Sequence, residues 1–293
     1  MTSSPGVARW ELALRLRRRR LDLGIGASFI TKALNVSAAY WSHIENERNL
    51  LPEGKLEQLL DILEIDEDER DELLALREAA RTRGWWTRYS ALFSEQLLRY
   101  YGLEWGARSI RTFESVLMPG LLQAEEYTRA LMASATATVP AVEIEQRVAV
   151  RRQRKQRLDG DDPVMLSAVI GEAALMQQFG GAKVLYRQLR HLAETIRRHP
   201  DNVEVRVIPF TSPASVMGGS TFHLLDFDSP RLPTSAWHES AVFGELFTDD
   251  AERKETRVRD LAFLHDRAIS VALDRSASLA LIEERADHLE STM

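Results

Sequence analysis

From Trp10 onward, apolar residues recur at helical spacing. In "WELALRLRRRRLDLG", Trp10, Leu12, Leu14, Leu16 and Leu21 supply a buried side, and Gly24 stands where a left-handed residue commonly closes a helix. "ASFITKALN" follows with Phe29, Ile30, Ala33 and Leu34 as a packing stripe, then Asn35, a non-glycine residue tolerant of the left-handed conformation. Ser37 is a good N-cap for "AAYWSHIENE", whose Tyr40, Trp41 and Ile44 point inward, and Pro52 closes the stretch. "GKLEQLLDILEI" and "EDERDELLALREAARTRG" predict two more amphipathic helices, built on Leu56, Leu59, Leu60 and Leu63 and on Leu73, Leu74 and Leu76. Five helices therefore make a small N-terminal domain, residues 1–82.

After "GWW" (84–86) the pattern is mixed. Helical stretches are expected at 90–101, 123–133 and 141–157, with an extended segment in "RSIRTFESVLMPG" between the first two. "RVAVRRQRKQRLDGDD" (147–162) reads as a solvated helix ending at Gly160, with a role in DNA binding as the other reading. Strands are expected in "VMLSAVI" (164–170), "NVEVRVIPF" (202–210), "STFHLLDF" (220–227) and "SAVFGELF" (240–247), which are β-branched or aromatic and bounded by turn residues. Helices are expected at 182–199, 250–272 and 276–288. The fold class is thus mainly α with an α+β part: a five-helix domain, then a larger α+β domain over 83–293.

Composition is that of an ordinary globular chain. Of 293 residues, 44% are hydrophobic and 28% charged, and Gly and Pro together number 25. No apolar run approaches the roughly 18–20 residues needed to cross a bilayer, and the N-terminus lacks the apolar stretch of a signal peptide, so a cytoplasmic protein without a membrane partner is expected. The absence of cysteine excludes disulfides, thiolate zinc sites and cysteine nucleophiles. The net charge of −6 hides an asymmetry: residues 1–50 carry eight basic side chains against four acidic ones, whereas "EIDEDERDELL" (64–74) carries seven acids and one arginine. An anionic partner is expected at the basic end.

Two helices joined by a tight turn, the second one capped, form the arrangement that lays a recognition helix in the major groove, although any small bundle contains helix pairs. "ALNVSAAYWSHIENERNLLP" resembles the helix-turn-helix signature of the XRE/Cro/C1 family, with Ile30, Thr31, Leu34, Val36, Tyr40, Trp41, Ser42, Ile44 and Glu45 on matching positions. It departs from that pattern at Asn35, in place of the usual turn glycine, and at Ala27, in place of a glutamine that commonly touches DNA. Ala38 and Ala39 replace polar or basic residues at the exposed start of the third helix, and can offer only methyl groups to a thymine or permit close backbone approach. Base readout then rests on Ser42 and His43, the latter equally readable as a plain solvent-facing histidine. Lys32, Arg48 and some of Arg15–Arg20, Arg17 among them, are expected on phosphates. Ser28, Ser37, Ala38 and Ala39 complete the expected DNA-facing set. Four consecutive arginines span about 300° of a helix, so at most two can face one phosphate strand, and the others are solvated or hold acidic neighbours.

The resemblance extends along the chain. "RTRGWWTRYS", "YYGLEWGARSIRTFESVLMPGLLQAEEYTRALM" and "RAISVALDRSASLALIEE" are similar, in this order, to blocks of actinobacterial XRE-type regulators with a large C-terminal domain of unknown function. That resemblance implies a transcriptional regulator, often encoded beside a small protein thought to bind it, and carries no agreed chemistry for the C-terminal domain.

Glu172, His223, His238 and Glu239 are the candidates for a metal or acid/base site. No HExxH, GxSxG, Walker-type or GxGxxG pattern accompanies them, so neither an enzyme nor a cofactor nor a metal is expected. Trp85, Trp86, Tyr89, Tyr100, Tyr101 and Trp105 concentrate six large aromatics in a short stretch, either as core between domains or as a surface for a ligand or partner. "SPASVMGGST" (212–221) reads as a loop, a connection or a lid. The sequence thus points to a sequence-specific DNA-binding regulator, acting as a homodimer on an operator, whose C-terminal domain senses a small partner protein or a small molecule. The alternative, motivated by Ala38 and Ala39, is the protein-binding half of a paired regulatory complex of toxin–antitoxin type.

Overall fold

A computed structural model describes residues 4–135, 139–212, 221–239, 244–248 and 256–293. The chain divides into two units, Met1–Tyr89 with Ser229–Leu232, and Ser90–Asp228 with Pro233–Met293.

The first unit is helical. Helix α1 (Pro5–Asp22) starts at a proline, whose missing N–H costs nothing there, and the Ser4 hydroxyl accepts from the Gly6 N–H. α2 (Ala27–Ala33), α3 (Ala38–Glu45), α4 (Glu53–Ile62) and α5 (Glu67–Arg81) follow, and a 3₁₀ turn covers Trp85–Tyr89. Leu12, Leu16, Ile30, Leu34, Trp41, Ile44, Leu56, Leu59, Leu60, Leu63 and Leu73 form one core. Two of the expected inward stripes are narrower than predicted. Leu21 is exposed because it lies about 140° round the helix from Leu16. Phe29 and Ala33 are exposed because seven residues of α2 bury a single row, Ile30 and the following Leu34. Asn35 takes the left-handed conformation at φ 49°, as does Gly24 at 64°.

The second unit is built on one mixed sheet. α6 (Glu95–Gly106) leads into β1 (Ser109–Glu114), then α7 (Glu125–Ser134), α8 (Ile144–Lys155), β2 (Met165–Gly171), α9 (Ala182–Arg198) and β3 (Val203–Ile208). β4 (Thr221–Asp226), β5 (Ser235–Glu239), β6 (Gly244–Thr248), α10 (Arg257–Val271) and α11 (Arg275–Thr292) complete it. The strand order is β3-β2-β1-β4-β5-β6. β1, β2 and β3 are parallel, and helices make the crossovers that parallel pairing requires; β4, β5 and β6 pair antiparallel. The strand β5, "SAWHE", is not anticipated by the sequence pattern: five residues without a β-branched side chain carry little alternation. The expected strand at 240–247 is found as Gly244–Thr248, with 240–243 outside the described residues, as are 213–220 of the expected loop and 250–255 of the expected helix.

Strand periodicity sorts the sheet into two faces. On one, Phe113, Val169, Phe222, Leu224 and Ala236 pack under Val258 and Ala268 of α10. On the other, the registers Thr112↔His223↔Trp237 and Glu114↔Thr221↔Glu239 lay two rows of polar and aromatic side chains across β1, β4 and β5. No helix among the described residues is long and apolar enough to cross a membrane.

Candidate functional site

In the first unit, α3 is anchored from below and capped at its start. Trp41 and Ile44 are buried, the half-buried Tyr40 donates its hydroxyl to the Leu50 carbonyl at 3.3 Å, and the Ser37 Oγ accepts from the Tyr40 N–H at 3.1 Å. The turn before it is tied to α4: the Lys55 ammonium donates to the carbonyls of Leu34 and Asn35, at 3.0 and 3.3 Å. These fixings leave Ser37, Ala38, Ala39, Ser42 and His43 exposed, together with Arg17, Ser28, Lys32 and Arg48. The Ser42 hydroxyl accepts from the Asn46 side chain at 3.2 Å, which still leaves its own proton to donate.

The arginine cluster separates by role. Arg20 is buried and gives two hydrogen bonds, 2.9 and 2.7 Å, to one carboxylate oxygen of Glu45, tying α1 to the end of α3. Arg19 donates to the carbonyls of Leu63 and Glu64, at 2.8 and 2.9 Å, where α4 ends. Arg15 is buried and pairs with Glu69 and Glu72 of α5. Arg17 and Arg18 remain exposed. Lys55 is a positioning contribution that the sequence pattern hides, since a lysine in the first turn of an amphipathic helix is normally solvated.

In the second unit, the polar face of the sheet forms the floor of an open cavity of about 1150 Å³. α6 supplies Tyr100 and Tyr101, α8 supplies Arg147, Arg151 and Arg154, and the sheet supplies Glu114, Thr221, His223, Trp237 and Glu239. Tyr100 stacks on Trp237 with ring centroids 5.0 Å apart and lies 5.7 Å from the His223 ring. The stack needs Gly244 in β6, where a Cβ would stand 1.9 Å from the Trp237 indole.

The charges of this cavity are arranged with care for burial. Arg154 grips Glu104 through two hydrogen bonds of 2.7 and 2.6 Å, and the Tyr100 hydroxyl donates to the same carboxylate at 2.8 Å. Burial pushes Glu104 up, but Arg154 and Tyr100 outweigh it and hold the carboxyl below its ordinary range. Among the described residues Glu114 has no such cation within contact: burial pushes it up to about 8, against the hydrogen bond it accepts from Thr221 at 2.9 Å. It is therefore a neutral acid at pH 7. His223 is pushed down to about 4, first by burial and then by Arg154 and Arg151, against the pull of Glu239 and Glu104. Thr112 Oγ1 lies 2.7 Å from His223 Nδ1 and donates to the Phe222 carbonyl at 3.2 Å. One hydroxyl proton cannot serve both, so Nδ1–H donates to Thr112 and Nε2 is left as an acceptor.

Of the six aromatics singled out in the sequence, Tyr100 and Tyr101 line this cavity and Trp105 of α6 does not. Trp85, Trp86 and Tyr89 belong to the first unit, where Trp85 meets the other two edge to face, at 5.8 and 6.2 Å. Glu172 is elsewhere, buried between the Phe210 N–H and Arg285, both at 2.7 Å. His238 pairs with Phe222, so its side chain leaves the sheet on the face opposite His223. Among the described residues no group of three or more His, Asp or Glu side chains is placed to hold a metal.

The reading of 147–162 as a solvated helix is corrected. α8 ends at Lys155, Arg154 is buried, and Arg147 and Arg151 are half-buried. The signal was present: Arg151 and Arg154 follow Val148 at steps of three, on its apolar stripe. Glu114 and Trp237 were not singled out, because what brings them to one face is register across the sheet; Arg151 joins them in the cavity from α8.

Comparison with known families agrees with this division. The model of a helix-turn-helix domain matches residues 11–73, and that of a domain of unknown function, DUF5753, matches residues 97–284. No curated protein and no solved structure matches the chain. The helix-turn-helix domain marks a DNA-binding regulator, and through the larger match the chain belongs to the family of the DUF5753 domain.

Proposed function

We propose that the protein is a cytoplasmic, sequence-specific transcriptional regulator, acting as a homodimer on operator DNA, whose C-terminal unit senses a small molecule or a small partner protein. The observation that carries the DNA half is the exposed surface of α2 and α3, on which Ser42 and His43 stand with polar groups free to meet base edges. Arg17 and Lys32 flank them as cations without an ion pair among the described residues, suited to phosphate. Dimerisation follows from economy of information: a recognition helix that opens on Ala38 and Ala39 discriminates little, and two half-sites about 34 Å apart roughly double it. The cavity is what supports sensing: aromatic rings line it together with buried polar side chains, Glu114, Arg154 and His223 among them, a lining that can hold and orient a small molecule.

The test is selection of genomic fragments by the full-length protein near physiological salt. A pseudo-palindromic consensus and a discrete footprint are expected. Retention that depends on salt but not on sequence overturns the specific reading. The second reading, a protein-binding half of a paired regulatory complex, is favoured by the two alanines alone, and would then take its place.

A further inference from the structure

Three arginines of α8, Arg147, Arg151 and Arg154, stand at i, i+4 and i+7 and so face the cavity together. Two are matched. Arg147 pairs with Glu143 at 2.7 Å, and Arg154 is held by Glu104. Arg151, between them, has neither an ion pair nor a hydrogen-bond partner among the described residues. Its guanidinium rests against Gly120, where a Cβ would come within 2.3 Å of Nη1 and the tip of the arginine would have to move.

We propose that the cavity of the second unit binds a small aromatic carboxylate, its carboxylate taken by Arg151 and its ring laid beside the Tyr100–Trp237 stack. This rests on the reading that the cavity binds a small molecule, and gives that molecule a chemical class. A planar guanidinium offers a carboxylate two parallel hydrogen bonds, and in a partly dry site an unmatched cation gains most from an anion. Glu114, neutral at pH 7, adds a hydroxyl donor instead of a repelling charge. A cationic ligand finds a poorer site: Glu104 is already occupied by Arg154, Glu114 is uncharged, and Glu239 is exposed to water. The ring has an offset place against Tyr100, Trp237 or His223, and the volume of about 1150 Å³ admits more than one ring.

The experiment is calorimetric titration of the full-length protein at pH 7 with three matched probes, 1-naphthaleneacetate, 1-naphthaleneacetamide and 1-naphthylmethylamine, followed by carboxylates of one to three rings. Expected is binding of a carboxylate at least tenfold tighter than its amide and its amine. Arg151→Gln should bring the carboxylate down to the affinity of the amide, and Arg151→Lys should recover part of the loss. Gly120→Ala keeps the arginine but displaces the tip of its flexible side chain, and should weaken the carboxylate several-fold with the melting temperature little changed. Tighter binding of the amine, equal binding of all three probes, unaltered affinity in Arg151→Gln, or no carboxylate bound below millimolar concentration overturns the proposal. DNA affinity measured with and without the bound carboxylate separates the two claims. Binding that leaves DNA affinity unchanged upholds the carboxylate site and removes the sensing role from the function proposed above.

Discussion

Arg154 and Glu104 are joined by two hydrogen bonds of 2.7 and 2.6 Å, with their side chains 7% and 3% exposed. A buried pair of this kind is costly to break and cheap to replace, because removing one partner strands the other charge away from water. Arg154→Met is therefore expected to lower unfolding free energy by about 3–5 kcal/mol, the range for a stranded buried charge. The double change Arg154→Met with Glu104→Leu should be markedly less damaging than Arg154→Met alone, as read by urea unfolding. Equal losses in the two proteins would mean that the pair contributes through packing, for instance through the Arg154 guanidinium over the Tyr101 ring.

The cavity also imposes a pH dependence with two opposed parts. Burial raises Glu114 from 4.5 to about 8, so between those values the fold holds a proton that the unfolded chain has lost, and stability falls as pH rises. Burial lowers His223 from 6.5 to about 4, so the unfolded chain holds the extra proton in that window, and stability rises with pH. Of the two, Glu114 dominates above about pH 6.5. Raising the pH from 6.5 to 8 is expected to cost up to about 2 kcal/mol through this group, and Glu114→Gln should flatten that slope. A slope unchanged in the variant would assign it to other groups.

On the DNA side, the arginines of α1 are expected to part company. Arg17→Ala should weaken every DNA sequence alike and lower the salt slope by about one unit, with stability unchanged. Arg20→Ala should instead destabilise the first unit, since it frees Glu45 at the end of α3. Ser42→Ala with His43→Ala should flatten preference among sequences while weak non-specific binding persists. If specificity survives that double change, other residues read the bases.

Gly244→Ala places a methyl group against the Trp237 indole. Overpacking of this order costs about 1–3 kcal/mol, and the shifted ring should also loosen any ligand stacked on it. Near-ultraviolet circular dichroism of the tryptophans is the direct measure, and a spectrum identical to the parent would place the indole elsewhere.

Much of the helical unit is legible in the sequence because its determinants are local. Ser37 caps, Asn35 turns left-handed, and Trp41 with Ile44 faces inward, all within ten residues of one another. Position round the helix axis misleads: Leu21 near the end of α1 and Phe29 in the short α2 are apolar but off the buried row. In the larger unit, β-branched runs announced β2 and β3 and an apolar run with Phe222 announced β4, whereas β5 carried no such run. The polar floor of the cavity was hidden for a different reason. Thr112 and His223 meet although 111 residues apart, and such a meeting is decided by antiparallel register, which no local pattern encodes. The arginines of α8 misled because a run of charge normally denotes water, whereas here three charges share a stripe with Val148.

β1 is the seam of the sheet, parallel to β2 on one side and antiparallel to β4 on the other. Its alternate residues feed opposite compartments, Thr112 and Glu114 toward the cavity and Phe113 toward α10. Losing or gaining a single residue in this strand would turn Phe113 to the cavity and drive Glu114 into hydrocarbon, with both neighbouring strands misaligned at once. The cavity can thus change its taste by exchanging side chains in place, but its length of strand is fixed, and lineages that retain this sheet should vary in the letters of β1 and never in their number.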